Sequence, residues 1–165
     1  MGVNTAGINI FAGSPPLMEG RHESTGRVFY VGSVAVPGGV GGSDTSGAHG
    51  DSPQRPFLTI DYAVGQCVAS RGDTIYVLPG HTETVAGTIA VDVAGIRIKG
   101  LGVAANRPVL TFDGTADVVA ISAANCEWSN IEHVCNVASH TRFIDLQGGG
   151  DGTWIHHNMF REGTS

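Results

Sequence analysis

Residues 50–80, GDSPQRPFLTIDYAVGQCVASRGDTIYVLPG, place one short helix pattern directly before a strand pattern. Thr59 is a good helix cap, because its hydroxyl can accept a backbone N–H that has no partner inside the first turn. From Ile60 to Val68, apolar residues recur at the spacing of a helix with one buried face. Gly72 is a plausible terminator. The stretch therefore predicts a helix over about residues 59–70.

Short strand patterns precede and follow this helix, and no second helix pattern appears. Most are rich in β-branched or aromatic residues and are separated by Gly, Asn, Asp or Ala. The predicted strands are 27–36, 73–80, 88–93, 96–100, 108–112, 117–122, 126–131, 142–146 and 153–157. The sequence therefore predicts an all-β fold with a single helix.

The strand patterns repeat along the chain. AGIRIKG (94–100) aligns with ANCEWSN (124–130) and roughly with DGTWIHHN (151–158), and a second series runs in step through Ile89, Val119 and Ile144. Repeats of this length, with two or three strands each, are typical of a solenoid whose stacked coils bury one another's inner faces.

A solenoid fold leads to two expectations, one about the side chains in the core and one about the helix. We expect Ile96, Trp128 and Ile155 to lie over one another in the core, with a small residue above or below the large Trp128. The open end of such a stack presents unpaired backbone, which invites aggregation. The helix of residues 59–70 is predicted to cover the first coil, with the face formed by Ile60, Val64, Cys67 and Val68.

Residues 1–25 are interpreted as an extended arm. Two consecutive prolines rule out a helix and favour an extended path. Such a segment is either a floppy terminus or an anchor on a partner or a neighbouring subunit. The predicted partner-binding residues are Ile8, Ile10, Phe11, Pro15, Pro16 and Leu17. The solenoid domain then covers residues 26–165.

The composition excludes several classes of partner. Charged residues make up 15% of the chain, the net charge is −6, and there is no basic run, so we expect no nucleic acid. We expect no membrane either, because no apolar run approaches the roughly 18 residues of a membrane span and the N-terminus lacks a secretory signal. The 3 cysteines give an odd count without a zinc spacing, which indicates buried thiols and a reducing compartment.

Candidate catalytic groups are scattered. Among the aspartates, only Asp117 and Asp145 are expected to approach one another, and the plainer reading is that these residues cap turns. His156 and His157 are neighbours in a strand, so they should point to opposite faces and not share a metal easily. His81 is interpreted as a turn residue.

A calcium loop containing Ser43, Asp44 and Asp51 is also weighed, but its spacing does not match the EF-hand pattern. We therefore predict no catalytic residue, cofactor or metal.

The entry segment resembles that of right-handed parallel β-helix proteins, the pectate-lyase-like superfamily. In that group a YV strand leads through a GSD loop into a capping helix, and the first coil follows. The matching residues here are Tyr30-Val31, Gly42-Ser43-Asp44, Pro56-Phe57-Leu58-Thr59-Ile60, Ala63 and Gly72-Asp73-Thr74-Ile75-Tyr76-Val77. The resemblance implies a right-handed parallel β-helix with an N-terminal capping helix.

Three segments are similar to β-helix proteins of tailed bacteriophages and prophages: Gly72–Thr84, Asp92–Phe112 and Ser122–Val134. Cys126 and Trp128 depart from that pattern, in which aliphatic residues are usual. The resemblance implies a structural protein of the virion, made in the host cytoplasm, rather than an enzyme. Its role would be capsid decoration, cement, or the base of a spike or fibre.

The expected partners are phage capsid or tail proteins and further copies of the chain, for example in a trimer. One alternative is a β-helix that binds or cleaves polysaccharide, with a glycan as partner. A bacterial β-helix scaffold unrelated to phage is another.

Overall fold

The computed structural model describes residues 26–45 and 49–163, which are mostly β structure with one short helix. The helix α1 is Ile60–Val64, and a single 3₁₀ turn spans Ala104–Asn106. The strands are β1 Val28–Val31, β2 Thr74–Val77, β3 Thr82–Val85, β4 Thr88–Val91, β5 Arg97–Gly100, β6 Val109–Phe112, β7 Val118–Ile121, β8 Glu127–Ser129, β9 Glu132–Cys135, β10 Ile144–Leu146, β11 Trp154–His156 and β12 Met159–Glu162.

The strands form three sheets in which every pair is parallel. The five-stranded sheet has the order β11-β8-β5-β2-β1, the four-stranded sheet β12-β9-β6-β3, and the three-stranded sheet β10-β7-β4. From β2 onward, consecutive strands belong to different sheets, so the chain winds around one axis as a solenoid of about three turns. The predicted all-β, parallel β-helix is confirmed.

The core of the five-stranded sheet is a column of large apolar side chains. Ile75, Ile98, Trp128 and Ile155 are paired in register, and the first three are fully buried. The residue above Trp128 is therefore Ile98, not the predicted Ile96, which precedes β5. Neither neighbour of Trp128 is small, so the prediction of a small neighbour was wrong.

The second predicted series is confirmed. Ile89, Val119 and Ile144 are in register in the three-stranded sheet. The first two are buried and the third, in the last coil, is partly covered. Register is fixed strongly where one face of a strand is buried, because a slip of one residue would turn every apolar side chain outward.

The helix covers the start of the solenoid, as predicted, but Val68 does not belong to its covering face, because it is 50% exposed, and Cys67 is only partly buried. Its buried residues Ile60, Ala63 and Val64 pack into the core, and α1 contacts β1, β2 and β4. The predicted cap is also confirmed, because the side chain of Thr59 accepts the backbone N–H of Tyr62. The helix is shorter than the predicted 59–70: it ends at Gly65 rather than near Gly72.

The predicted strands are present but mostly shorter, and three strands were not predicted. These are β3, β9 and β12, which with β6 form the four-stranded sheet. Within the described residues, no helix is long and apolar enough to cross a membrane. The arm of residues 1–25 lies outside the described residues, and so do its predicted partner-binding residues.

Candidate functional site on the outer face of the five-stranded sheet

The outward side chains of the five-stranded sheet form two rows that run across the strands. Their inward neighbours fill the core, so strand alternation fixes these residues on the outside. One row is Val28, Thr74, Arg97, Glu127 and Trp154, and the other is Tyr30, Tyr76, Lys99, Ser129 and His156. We call this surface the outer face. It combines aromatic, basic and acidic side chains.

Glu127 lies on β8, between β11 and β5, and is contacted from both of these strands. Its Oε1 atom lies 3.0 Å from Lys99 Nζ and 3.2 Å from His156 Nε2, and its Oε2 atom lies 3.9 Å from Arg97 Nε. The Ser129 hydroxyl donates to Oε1 at 3.3 Å. Although it points outward, Glu127 is only 9% exposed. A carboxylate with so little solvent exposure needs hydrogen bonds and nearby positive charges to remain ionised.

The protonation state of Glu127 follows from these contacts. Burial alone would raise the pKa of Glu127, but the hydrogen bond and charge of Lys99, with the hydrogen bonds from His156 and Ser129, outweigh it. The pKa of Glu127 is therefore lower than usual. Near neutral pH the group is an anionic acceptor and a poor proton donor.

Two aromatic pairs lie on the outer face, on either side of this charged centre. The ring centroids of Tyr30 and Tyr76 are 6.0 Å apart, and those of Trp154 and His156 are 4.0 Å apart. Trp154 is 63% exposed. From β2 to β11 there are three strand spacings, or about 14 Å. The surface thus offers flat apolar rings and fixed polar groups to an extended ligand.

The two adjacent histidines are closer than the sequence suggested. Their Nδ1 atoms are 2.6 Å apart. His157 follows the end of β11 and has a φ of 58°, in the left-handed region, which breaks the alternation of the strand. The expectation that the two rings point to opposite faces was therefore wrong. The described residues contain no group of three or more His, Cys, Asp and Glu side chains placed to hold a metal.

The two aspartates expected to approach one another serve separate local contacts. Asp117 accepts the backbone N–H groups of Gly114 and Gly87, at 2.6 and 2.9 Å. Asp145 lies 3.7 Å from Arg142 and accepts a hydrogen bond from Gln147. The structure shows no contact between the two carboxylates, and Asp117 has the turn-capping role of the plainer reading.

His81 is a buried structural residue that ties the first coil to the helix. Its Nδ1 atom accepts the backbone N–H of Ser33 at 3.0 Å, so the proton of the neutral ring is on Nε2, which lies 3.1 Å from Glu83. Glu83 in turn accepts the first backbone N–H of the helix, from Ile60. These contacts position α1 on the solenoid.

Asp44, weighed as a calcium ligand, also serves the helix start. Its carboxylate accepts the backbone N–H groups of Leu58 and Thr59 and the hydroxyl of Thr59. Asp51, from the same loop, pairs with Arg27 at 2.8 Å instead. The two loop carboxylates are thus used for separate protein contacts.

The prediction that the thiols are buried is correct for one of the three cysteines. All three are free, and Cys126 is buried, whereas Cys67 and Cys135 are partly covered. Burial raises the pKa of Cys67 to about 12, so this thiol stays protonated and is a poor nucleophile.

Sequence analysis missed the residues of the outer face. The signal was present, because the same spacing of 30 and 27 residues that aligns Ile98, Trp128 and Ile155 also aligns the residues on either side of each.

The chain was compared with protein-family models, curated proteins and solved structures, and it matched none of them.

Proposed function

We propose that this protein is a structural component of a bacteriophage particle, as a capsid decoration or cement protein or as the base of a spike or fibre. Residues 1–25 attach it to a capsid or tail protein, and it works in the virion after synthesis in the host cytoplasm. The observation that carries the proposal is that the phage-like segments coincide with the coils. Gly72–Thr84 contains β2 and most of β3, Asp92–Phe112 contains β5 and β6, and Ser122–Val134 contains β8 and most of β9.

A second observation supports a role in assembly. In the last described coil, the side chains that continue the core columns are not covered: Leu146 is 55% exposed, Ile155 37% and Phe160 49%. The strands β10, β11 and β12 lie at the edges of their sheets. Exposed apolar residues beside strand edges favour packing against a further coil or another protein surface. A further copy of the chain, as in a homo-oligomer, would supply one.

The test is to count the protein in purified particles. Electron microscopy and quantitative mass spectrometry of particles from the producing culture should find a fixed copy number and ordered density at one capsid or tail position. Absence of the chain from the particles would overturn the proposal.

Variants test the arm separately. Replacing Ile8, Ile10 and Phe11 with Ser should abolish incorporation into particles while the solenoid stays folded. Val103→Ser removes an apolar side chain that is 74% exposed in the described part of the chain and is the matched control. Normal incorporation of the triple variant would show that these residues are not the anchor.

Polysaccharide binding is the second candidate, and the outer face is the observation that favours it. Exposed aromatic rings stack on the apolar faces of sugars, and Lys99, Arg97 and Glu127 offer donors and acceptors beside them. Binding of the purified chain to a panel of bacterial surface polysaccharides would test it. We expect Trp154→Ala to weaken binding at least tenfold and Val103→Ala to leave it unchanged. No binding to any member, or equal binding by both variants, would count against a glycan site here.

A further inference from the structure

His156 and His157 bring two ring nitrogens to one point on the outer face. The distance of 2.6 Å joins Nδ1 of one ring to Nδ1 of the other, and the two rings are nearly perpendicular, at 81°. Backbone geometry causes the approach. His156 is the last residue of β11, and the left-handed φ of His157 turns its side chain back toward its neighbour.

The contact with Glu127 selects the tautomer of His156 that has its lone pair on Nδ1. Nε2 of His156 lies 3.2 Å from Oε1 of Glu127, and the same oxygen lies 3.0 Å from Lys99 Nζ, whose positive charge favours the anionic carboxylate. An anionic carboxylate only accepts hydrogen bonds, so Nε2 carries the proton of the neutral ring. The lone pair of His156 is then on Nδ1, facing His157. This carboxylate–histidine arrangement is the one that orients histidine ligands in metal sites.

Without a metal ion, this contact is an N–H···N hydrogen bond that Nδ1–H of His157 donates to Nδ1 of His156. A bound metal ion would take the place of that proton. Because His157 is exposed, the proton of its neutral ring can then reside on Nε2 in solvent. Two ligands at right angles around a metal, each at about 2.0–2.1 Å, are about 2.9 Å apart. A separation of 2.6 Å reaches this value through a small rotation of the exposed ring.

We propose that His156 and His157 form a site for a divalent transition metal ion, with Glu127 as the positioning residue and water as the remaining ligands. Imidazole nitrogen suits Cu²⁺, Ni²⁺ and Zn²⁺, whereas Ca²⁺ and Mg²⁺ require oxygen ligands. The usual order of affinities places Cu²⁺ above both Ni²⁺ and Zn²⁺ at such a site. The inference is independent of the particle proposal, since it concerns only the outer face.

The fluorescence of Trp154 offers a direct readout. Its ring centroid lies 4.0 Å from that of His156, so a paramagnetic ion bound there should quench the emission of Trp154, which is largely exposed. Titration of the full chain with Cu²⁺, followed by fluorescence and isothermal calorimetry, should give one saturable site per chain. Ni²⁺ should bind at least tenfold more weakly, and Ca²⁺ should not compete.

Variants distinguish metal binding at His156 and His157 from metal binding at other histidines. His156→Gln and His157→Gln should each weaken Cu²⁺ binding at least tenfold, whereas His140→Gln should leave it unchanged. Glu127→Gln should weaken binding roughly 10- to 100-fold while one ion per chain still binds. Circular dichroism checks the fold, and the exposed His157 gives a variant that should fold normally. No saturable binding, or binding unchanged in both His156→Gln and His157→Gln, would overturn the proposal.

Discussion

The indole Nε1–H of Trp128 donates a hydrogen bond to Nε2 of His133, 3.1 Å away, inside the solenoid. Both residues are fully buried. The His133 ring also stacks between two phenylalanines, with centroids 6.0 Å from Phe112 and 4.7 Å from Phe160. A polar pair thus joins the five-stranded and four-stranded sheets across the core.

The first prediction concerns the pH dependence of stability caused by His133. Burial lowers the pKa of His133 to about 4, whereas an unfolded histidine titrates near 6.5. Between these two pH values, the unfolded chain therefore binds a proton at His133 that the folded chain does not bind. The stability from neutral His133 is full above about pH 6.5 and is lost as the pH falls toward about 4. We expect a decrease of about 3 kcal/mol in the free energy of unfolding over this interval.

Urea denaturation of the wild type and of His133→Phe at several pH values measures this effect. The variant should be less stable at pH 7.5, by about 1–3 kcal/mol, because the Trp128 N–H loses its acceptor. It should also lose most of its pH dependence between 6.5 and 4. His157→Gln, which removes an exposed ring, is the control. Parallel pH profiles for wild type and His133→Phe would show that His133 is not the group responsible.

The second prediction compares the two tryptophans. Trp128 is fully buried in the core column, whereas Trp154, one coil further, is 63% exposed on the outer face. Trp128→Asp would place an unpaired charge in the core, which should abolish soluble folding. Trp154→Asp puts the same group in water and should give a folded protein. Soluble yield and circular dichroism measure both. A folded Trp128→Asp variant would contradict the inward position of this residue.

The five-stranded and three-stranded sheets could be predicted from the sequence because their inward residues are apolar. The four-stranded sheet was missed apart from β6, since its inward positions include Glu83 and His133. These polar groups are buried only because His81, Ile60 and Trp128 provide hydrogen-bond partners from other parts of the chain. Alternation of apolar and polar residues cannot reveal such a strand.

The candidate site on the outer face could not be predicted from the sequence either, because it depends on the register of the strands. Lys99, Glu127 and His156 are far apart in the sequence, and each is unremarkable within its own strand. Their contact follows from the pairing of three coils, which a search for neighbouring carboxylates or histidines does not use. The predicted length of the helix was wrong for a local reason. Gly65 ends the helix directly after Val64, although the apolar pattern in the sequence continues beyond it.

The third prediction concerns Asp73, a buried carboxylate at the start of β2. It accepts hydrogen bonds from the guanidinium of Arg71, twice at 2.7 Å, and from the backbone N–H groups of Arg27 and Val68. Removing all four by Asp73→Ala should cost about 3–5 kcal/mol. Asp92→Ala, at an exposed position, should cost much less. Equal urea midpoints for the two variants would contradict the structural role of Asp73.

The same carboxylate should contribute to acid unfolding. Burial would raise the pKa of Asp73, but the hydrogen bonds from Arg71, Val68 and Arg27 outweigh it and lower the pKa. The stability contributed by the ionised group is therefore present above the unfolded value near 3.9 and is lost as the pH falls through the lower folded pKa. In Asp73→Asn this part of the acid transition should disappear, as measured by circular dichroism between pH 5 and pH 2.

The fourth prediction concerns Gly100, where β5 ends against the next coil. A Cβ atom at this position would lie 2.1 Å from the backbone oxygen of Asn130, far inside contact distance. The Asn130 side chain also donates to the Gly100 carbonyl at 2.8 Å, which holds the two coils together. Gly100→Ala must push these coils apart, at a cost of about 1–3 kcal/mol.

Gly148 is the matched control, because a Cβ atom there would meet nothing within 4 Å. Gly148→Ala should leave the urea midpoint nearly unchanged, whereas Gly100→Ala should lower it without changing the slope of the transition, as expected for a loss of stability. If the two alanine variants unfold at the same urea concentration, the close approach of the coils at Gly100 does not limit the size of its side chain.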